Sequence, residues 1–142
     1  MLLADVNVFI YAHRRDAVDH ERFRDWLAAQ LSSSSTFAVS ELILSSVVRV
    51  ITNPSIYGDA TPLPDALKFV EQVRTSPRTV RIEAGPRHWQ IFADLCQQVS
   101  AKGNLVAACY YAALAIEHGC EWISVDRHFA QFPGLRWRHP LN

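Results

Sequence analysis

Lysine is nearly missing from this chain: Lys68 and Lys102 stand against twelve arginines. Arginine holds phosphate in a two-pronged geometry that lysine lacks. A GC-rich coding sequence would give the same bias, and composition alone does not separate the two. Cysteine is scarce as well. Cys96, Cys109 and Cys120 lack CxxC spacing and sit among apolar neighbours. That pattern argues against a disulfide scaffold or a zinc site, and for small buried side chains in a reducing compartment. Neither sign of charge is in excess, since 14 basic residues balance 14 acidic ones. An acidic disordered tail and a histone-like basic face are therefore excluded, and any polyanion must be met locally. No apolar run is long enough to span a bilayer, and the opening MLLADVNVFIYA has neither a basic start nor a small-residue cleavage site. A soluble cytoplasmic protein with no membrane partner is expected.

What is present is enough apolar material for one core. With 142 residues and 49% hydrophobic content, residues 1–142 form a single domain, with no room for two independently folding units. Short apolar or β-branched runs predict strands over 2–6, 36–39, 79–82 and 121–125, with a last edge strand over 135–137. Three-and-four spacing predicts helices over 8–13, 20–31, 41–51, 64–75, 86–100 and 106–118, and a helical turn or two over 126–132. The alanine-rich segment 106–118 is apolar nearly all round and should be buried. Alternating strands and helices predict an α/β fold with a mostly parallel sheet covered on both faces.

Three acids follow predicted strands directly: Asp5 after Leu2-Leu3-Ala4, Glu41 after Phe37-Ala38-Val39-Ser40, and Asp126 after Trp122-Ile123-Ser124-Val125. In an open parallel sheet these positions share one edge, and at the point where strand order reverses that edge is where such folds bind ligands. Carboxylates forced together repel unless a cation holds them ionised, so convergence implies a metal. Oxygen ligands point to a hard ion, Mg2+ or Mn2+, which can activate water and neutralise charge on a phosphate. Each acid also has a structural reading. Glu41 and Asp126 stand where a helix amino terminus favours negative charge or a cap, whereas Asp5 inside an apolar opening is harder to explain that way. Asn7 is either a hydrogen-bonding neighbour of the metal or a cap. His128 reads as an ordinary surface histidine, and Tyr110 and Tyr111 as core packing before base stacking.

LLADVNVFIYA, SELILSSVVRVITNP, GNLVAACYYAALAIEHG and WISVDRHFAQFPGLRWRHPL together resemble the PIN-domain ribonucleases, most closely the VapC toxins of bacterial toxin–antitoxin pairs. The resemblance covers nearly the whole chain, and the last two segments are the specific ones. It implies a three-layer α/β/α PIN-like fold and the toxin of a type II toxin–antitoxin system. The implied activity is that of a Mg2+- or Mn2+-dependent endoribonuclease hydrolysing RNA phosphodiester bonds. Asp5, Glu41 and Asp126 match the acids that hold the ion. The pattern calls for a fourth carboxylate four residues after the asparagine of the Gly-Asn turn, and Ala108 stands there. Alanine removes one ligand and one charge while keeping a good helix former. An inactivating replacement made by design, or a naturally degenerate site, would look the same; the first is preferred, because a toxin is difficult to produce while active. His128 is a second departure, at a position often held by another aspartate. The site is thereby poorer in negative charge, and impaired catalysis by this form is expected.

The resemblance also implies a homodimer and a cognate VapB-type antitoxin covering the acidic pocket. Local arginines such as Arg14, Arg15, Arg49 and Arg127, with Asn7, would hold the RNA substrate. Two other readings compete. A signalling receiver needs a paired acid after the first strand and a lysine near the last; Asp5 has no acidic neighbour, and Lys68 and Lys102 fall in a helix and a turn. A catalytically inactive RNA- or antitoxin-binding module of the same fold is the serious alternative, because of Ala108.

Overall fold

The computed structural model describes residues 1–142. Five strands, β1 Leu2–Ala4, β2 Phe37–Val39, β3 Thr79–Arg81, β4 Glu121–Ile123 and β5 Trp137–Arg138, form one sheet in the order β3-β2-β1-β4-β5, every neighbouring pair parallel. The three central strands carry the most apolar runs, as strands covered on both faces must. Leu3, Ala4, Phe37, Ala38, Val39, Trp122 and Ile123 are each at most 1% exposed.

Six α-helices connect the strands: α1 Val6–His13, α2 His20–Ser32, α3 Glu41–Ile51, α4 Leu63–Arg74, α5 His88–Gln98 and α6 Asn104–Glu117. Right-handed crossovers from β1 to β2 and on to β3 put α1 to α4 on one face, and the return from β3 to β4 puts α5 and α6 on the other. The packing agrees: α1 lies against α2 and α3, and α3 against α4, while α5 lies against α6 and α6 on β4. Strand order therefore reverses between β1 and β4, and a crevice opens past their carboxyl ends.

Local chemistry explains most boundaries. In α3, Ile43, Leu44, Val47 and Ile51 fall on one face and are buried, each worth about 1.5 to 3 kcal/mol as area removed from water. Asn53-Pro54 then stops the helix, because a residue before proline is pushed out of the helical region. In α6, Cys109, Ala112, Ala113, Leu114 and Ala115 are buried, and all but Leu114 are small enough to let the helix approach β4 closely. Trp122 of β4 is covered there by Tyr111, stacked at 5.8 Å between ring centroids, and by Phe129 at 5.2 Å.

The strands are shorter than the apolar runs that predict them. The run 2–6 stops at Ala4 because the Asp5 carboxylate accepts the Val6 N–H at 2.7 Å and starts α1 two residues early. The run 121–125 stops at Ile123, and the edge strand lies at Trp137–Arg138 rather than over 135–137. Helix 86–100 is trimmed to His88–Gln98, while 106–118 begins earlier, at Asn104.

The loop from β3 to α5 is fastened by a carboxylate that the sequence pattern does not single out. Glu117, at the last turn of α6 with a side chain only 5% exposed, accepts the Gly85 N–H at 2.7 Å on one oxygen and the Arg87 N–H at 2.9 Å on the other. Arg87 Nη2 donates back to the Glu117 carbonyl at 2.8 Å. Gly85 leaves room for this, since a Cβ there would sit 2.8 Å from Glu117 Oε2.

Candidate active site

The carboxyl ends of β1 and β4 bring Asp5, Asn7, Ser124 and Asp126 together. Asp5 is 7% exposed. Its Oδ2 accepts from the Ser124 hydroxyl at 2.6 Å and from Asn7 Nδ2 at 3.2 Å. Asn7 Nδ2 also reaches Ser124 Oγ at 3.3 Å. Ser124 Oγ in turn accepts the Asp126 N–H at 3.0 Å. One buried hydroxyl thus ties the end of β1 to the backbone that carries Asp126. Sequence reading passes over Ser124; its signal is a lone hydroxyl in an apolar strand two residues before an acid.

Burial raises the Asp5 carboxyl above its ordinary value, and the nearby Asp126 carboxylate adds to the rise, against the lowering effect of Ser124, Val6 and Asn7. A buried acid kept near a second acid is the arrangement a cation relieves. Asp126 also caps the 3₁₀ turn Arg127–Gln131. Its Oδ1 accepts the His128 N–H at 2.9 Å and lies 2.8 Å from His128 Nδ1. The His128 side chain is otherwise exposed.

Glu41 stands at the same sheet edge, as the first residue of α3 after β2, but its carboxylate is turned to the flank. Arg74 Nε, at the end of α4, donates to Oε2 at 2.7 Å, and Arg81 Nη1 of β3 lies 3.5 Å from the same oxygen. Arg74, with help from Arg81, holds the Glu41 carboxyl below its usual value. No three His, Cys, Asp or Glu side chains stand close enough together to hold one ion. Ala108, in the second turn of α6, is half-buried against the core and offers no ligand atom.

The neighbouring arginines Arg14 and Arg15 part company. Arg14 is 6% exposed and bonds Asp16 through Nε at 2.9 Å and Asp59 through Nη2 at 2.6 Å, while its guanidinium lies 3.8 Å from the centre of the Tyr57 ring. This corrects the expectation that Arg14 meets RNA: its planar fork is committed to ordering the loop after α3. Arg15, Arg49 and Arg127 are exposed. Tyr110 packs on His88, ring centroids 4.2 Å apart, and Tyr111 on Trp122, so both belong to the packing around α6.

Fold and site together define a class, a doubly wound parallel sheet with acids at its topological switch, and the family comparison agrees. The PIN-domain family model matches residues 2–135. Ribonuclease VapC43 of Mycobacterium tuberculosis is 38% identical over 142 residues, covering 100% of this chain and 97% of the relative. Ribonuclease VapC25 of the same organism is 37% identical over 140 residues, 99% of each. The chain belongs to the PIN-domain family and, within it, to the VapC ribonucleases. Among solved structures, VapBC2 from Rickettsia felis bound to a promoter DNA fragment superposes with a TM-score of 0.71 at 14% identity, covering 97% of both chains. The DNA-bound VapBC of Salmonella typhimurium gives 0.68 at 18% identity over 99% of both. At such identities these establish the fold alone. No helix is long and apolar enough to cross a membrane.

Proposed function

We propose that this chain is the toxin of a VapBC-type toxin–antitoxin pair and that its chemistry is hydrolysis of RNA phosphodiester bonds. The carrying observation is the Asp5–Ser124–Asp126 connection across the switch between β1 and β4, in a chain related over its full length to VapC ribonucleases. The residues fit a magnesium or manganese ion that keeps most of its waters: two hard carboxylates, one of them buried and penalised for being charged alone. Asp5 and Asp126 would hold the ion, with Glu41 joining once its carboxylate leaves Arg74. When bound, the ion supplies an activated water and positive charge for the scissile phosphate. Asn7 and Ser124 orient Asp5 and keep its oxygens aimed at the crevice. Arg127 and Arg15, both exposed, would meet phosphates along the strand, as general charge neutralisation requires.

Ala108 and the tethered Glu41 support the second reading, a PIN-like module that binds RNA or antitoxin without cutting. A carboxylate fewer lowers the attraction for the ion more than it disturbs folding. An antitoxin of VapB type would cover the acidic edge. A homodimer is supported by Leu42 and Trp89, 47% and 69% exposed, of which Leu42 lines an apolar cavity of about 420 Å3 that also includes Phe92 and Tyr110.

Restoring the carboxylate with Ala108→Asp and assaying RNA cleavage with magnesium and with EDTA tests the reading. Magnesium-dependent cutting that strengthens sharply in Ala108→Asp is expected. No cutting by either form would remove the nuclease and leave the binding module.

A further inference from the structure

The turn that follows β4 is pinned by the core. Phe129 and Phe132 are each 3% exposed and pack edge to face, and Phe129 also meets Trp122. Gln131 Nε2 closes the turn on the His128 carbonyl at 2.9 Å. The backbone at His128 is therefore fixed, although the side chain it carries is 82% exposed. That side chain has one protein partner, the Asp126 carboxylate, with Nδ1 lying 2.8 Å from Oδ1. An ionised carboxylate only accepts, so the ring carries a proton on Nδ1 and donates it, whether the imidazole is neutral or charged. The same Oδ1 takes the His128 N–H at 2.9 Å, and the Asp126 N–H is held by Ser124 Oγ at 3.0 Å. No hydrogen bond from the protein reaches Oδ2, so one oxygen of Asp126 is engaged by its own turn and the other is left to a ligand. Asp5 differs, with a donor on each oxygen.

We propose that His128 is a positioning residue: its ring fixes the Asp126 carboxylate so that Oδ2 is the oxygen offered to the divalent cation. A histidine suits this task where a carboxylate does not, because an acid at position 128 would repel Asp126 instead of donating to it. The departure at His128 thus removes charge from the site and supplies orientation. A hydrogen-bond partner that orients a metal ligand is worth about 10- to 100-fold in metal affinity. The pair faces solvent, where such contacts add little to folding, so the role is separable from stability. The inference rests on the reading of Asp126 as a metal ligand, and extends it to a residue that acts through that ligand alone.

Three measurements on the full chain test it. In metal-free protein, long-range 1H–15N spectra of the imidazoles are expected to show His128 protonated at Nδ1, the nitrogen that the hydrogen bond to Asp126 selects. Magnesium titration by calorimetry is expected to give about tenfold weaker affinity in His128→Phe. Affinity close to native is expected in His128→Asn, whose Nδ2 hangs on Cγ as the ring Nδ1 does. The thermal midpoint is expected to stay at the native value in both variants. Equal magnesium affinity in the native chain and His128→Phe, or an equal loss in His128→Phe and His128→Asn, would overturn the positioning role. So would a His128 ring protonated on Nε2 alone. Absence of magnesium binding by the native chain, with the Nδ1 proton in place, would instead remove Asp126 from the ligands and leave its orientation by His128 standing.

Discussion

Two buried carboxylates in this molecule have opposite characters. Glu117 is shut away at the end of α6, yet each of its oxygens takes a backbone N–H, from Gly85 and from Arg87. Burial works to raise its pKa; those two N–H groups, with lesser help from His118 and His88, more than reverse it, and the net shift is downward. Asp5 also has donors, from Val6, Asn7 and Ser124, but burial wins and Asp126 adds to it, so the net shift is upward. The first acid is satisfied by the fold. The second is held at a cost to the fold, and a group held that way is a candidate for chemistry.

The largest expected effect separates them by substitution. In Glu117→Gln one acceptor oxygen becomes an NH2 that faces a backbone N–H, so a buried donor is left without its partner. A loss of about 2 to 3 kcal/mol is expected, read from the urea midpoint at unchanged slope. In Asp5→Asn the retained oxygen can still take the Val6 N–H, the Ser124 hydroxyl is free to turn, and the Asn7 Nδ2 that loses its acceptor is a side-chain amide that still has Ser124 Oγ at 3.3 Å. Stability within about 1 kcal/mol of the native chain is expected, together with loss of magnesium binding. A similar large loss in both would show Asp5 to be as structural as Glu117.

Acid sharpens the same contrast with a smaller signal. Glu117 has its folded value depressed below 4.5, so the stability it contributes is present above 4.5 and is lost as pH falls through the folded value. Asp5 has its folded value raised above 3.8, so its contribution is present below 3.8 and is lost as pH rises through the folded value. The stability deficit of Glu117→Gln should therefore shrink as the solution is acidified past 4.5. The difference between Asp5→Asn and the native chain should move the other way, any advantage of the asparagine vanishing in acid. Difference curves of the same sign would contradict the assignment.

The parts of this contrast differ in how far the amino-acid order reveals them. The helix Glu41–Ile51 is legible residue for residue, because an apolar stripe and Asn53-Pro54 mark its body and its end. Asp5 and Asp126 are legible as acids at the ends of apolar runs, a local pattern with a local meaning. Strand ends are not, since the cap that stops β1 at Ala4 depends on which way one carboxylate turns. Glu117 is hidden because its partners lie 32 and 30 residues back along the chain. Arg14 and Arg15 read alike in order and part only when Asp59, 45 residues away, arrives at one of them. Glu41 is legible in position but not in orientation: Arg74, 33 residues on, turns its carboxylate aside.

That last ion pair yields the smallest effect and the finest test. Arg74 bonds Glu41 at 2.7 Å and Glu71 at 3.2 Å at the solvent-facing end of α4, where ion pairs contribute little to folding. Arg74→Gln should thus leave the thermal midpoint unresolved from native. Its consequence is electrostatic, since it frees a carboxylate at the edge that already carries Asp5 and Asp126. Magnesium affinity measured by calorimetry should rise several-fold in Arg74→Gln, and further when combined with Ala108→Asp, because each change adds negative charge near the same crevice. Unchanged affinity in Arg74→Gln would remove Glu41 from the ligand set and leave an ion held by Asp5 and Asp126 alone.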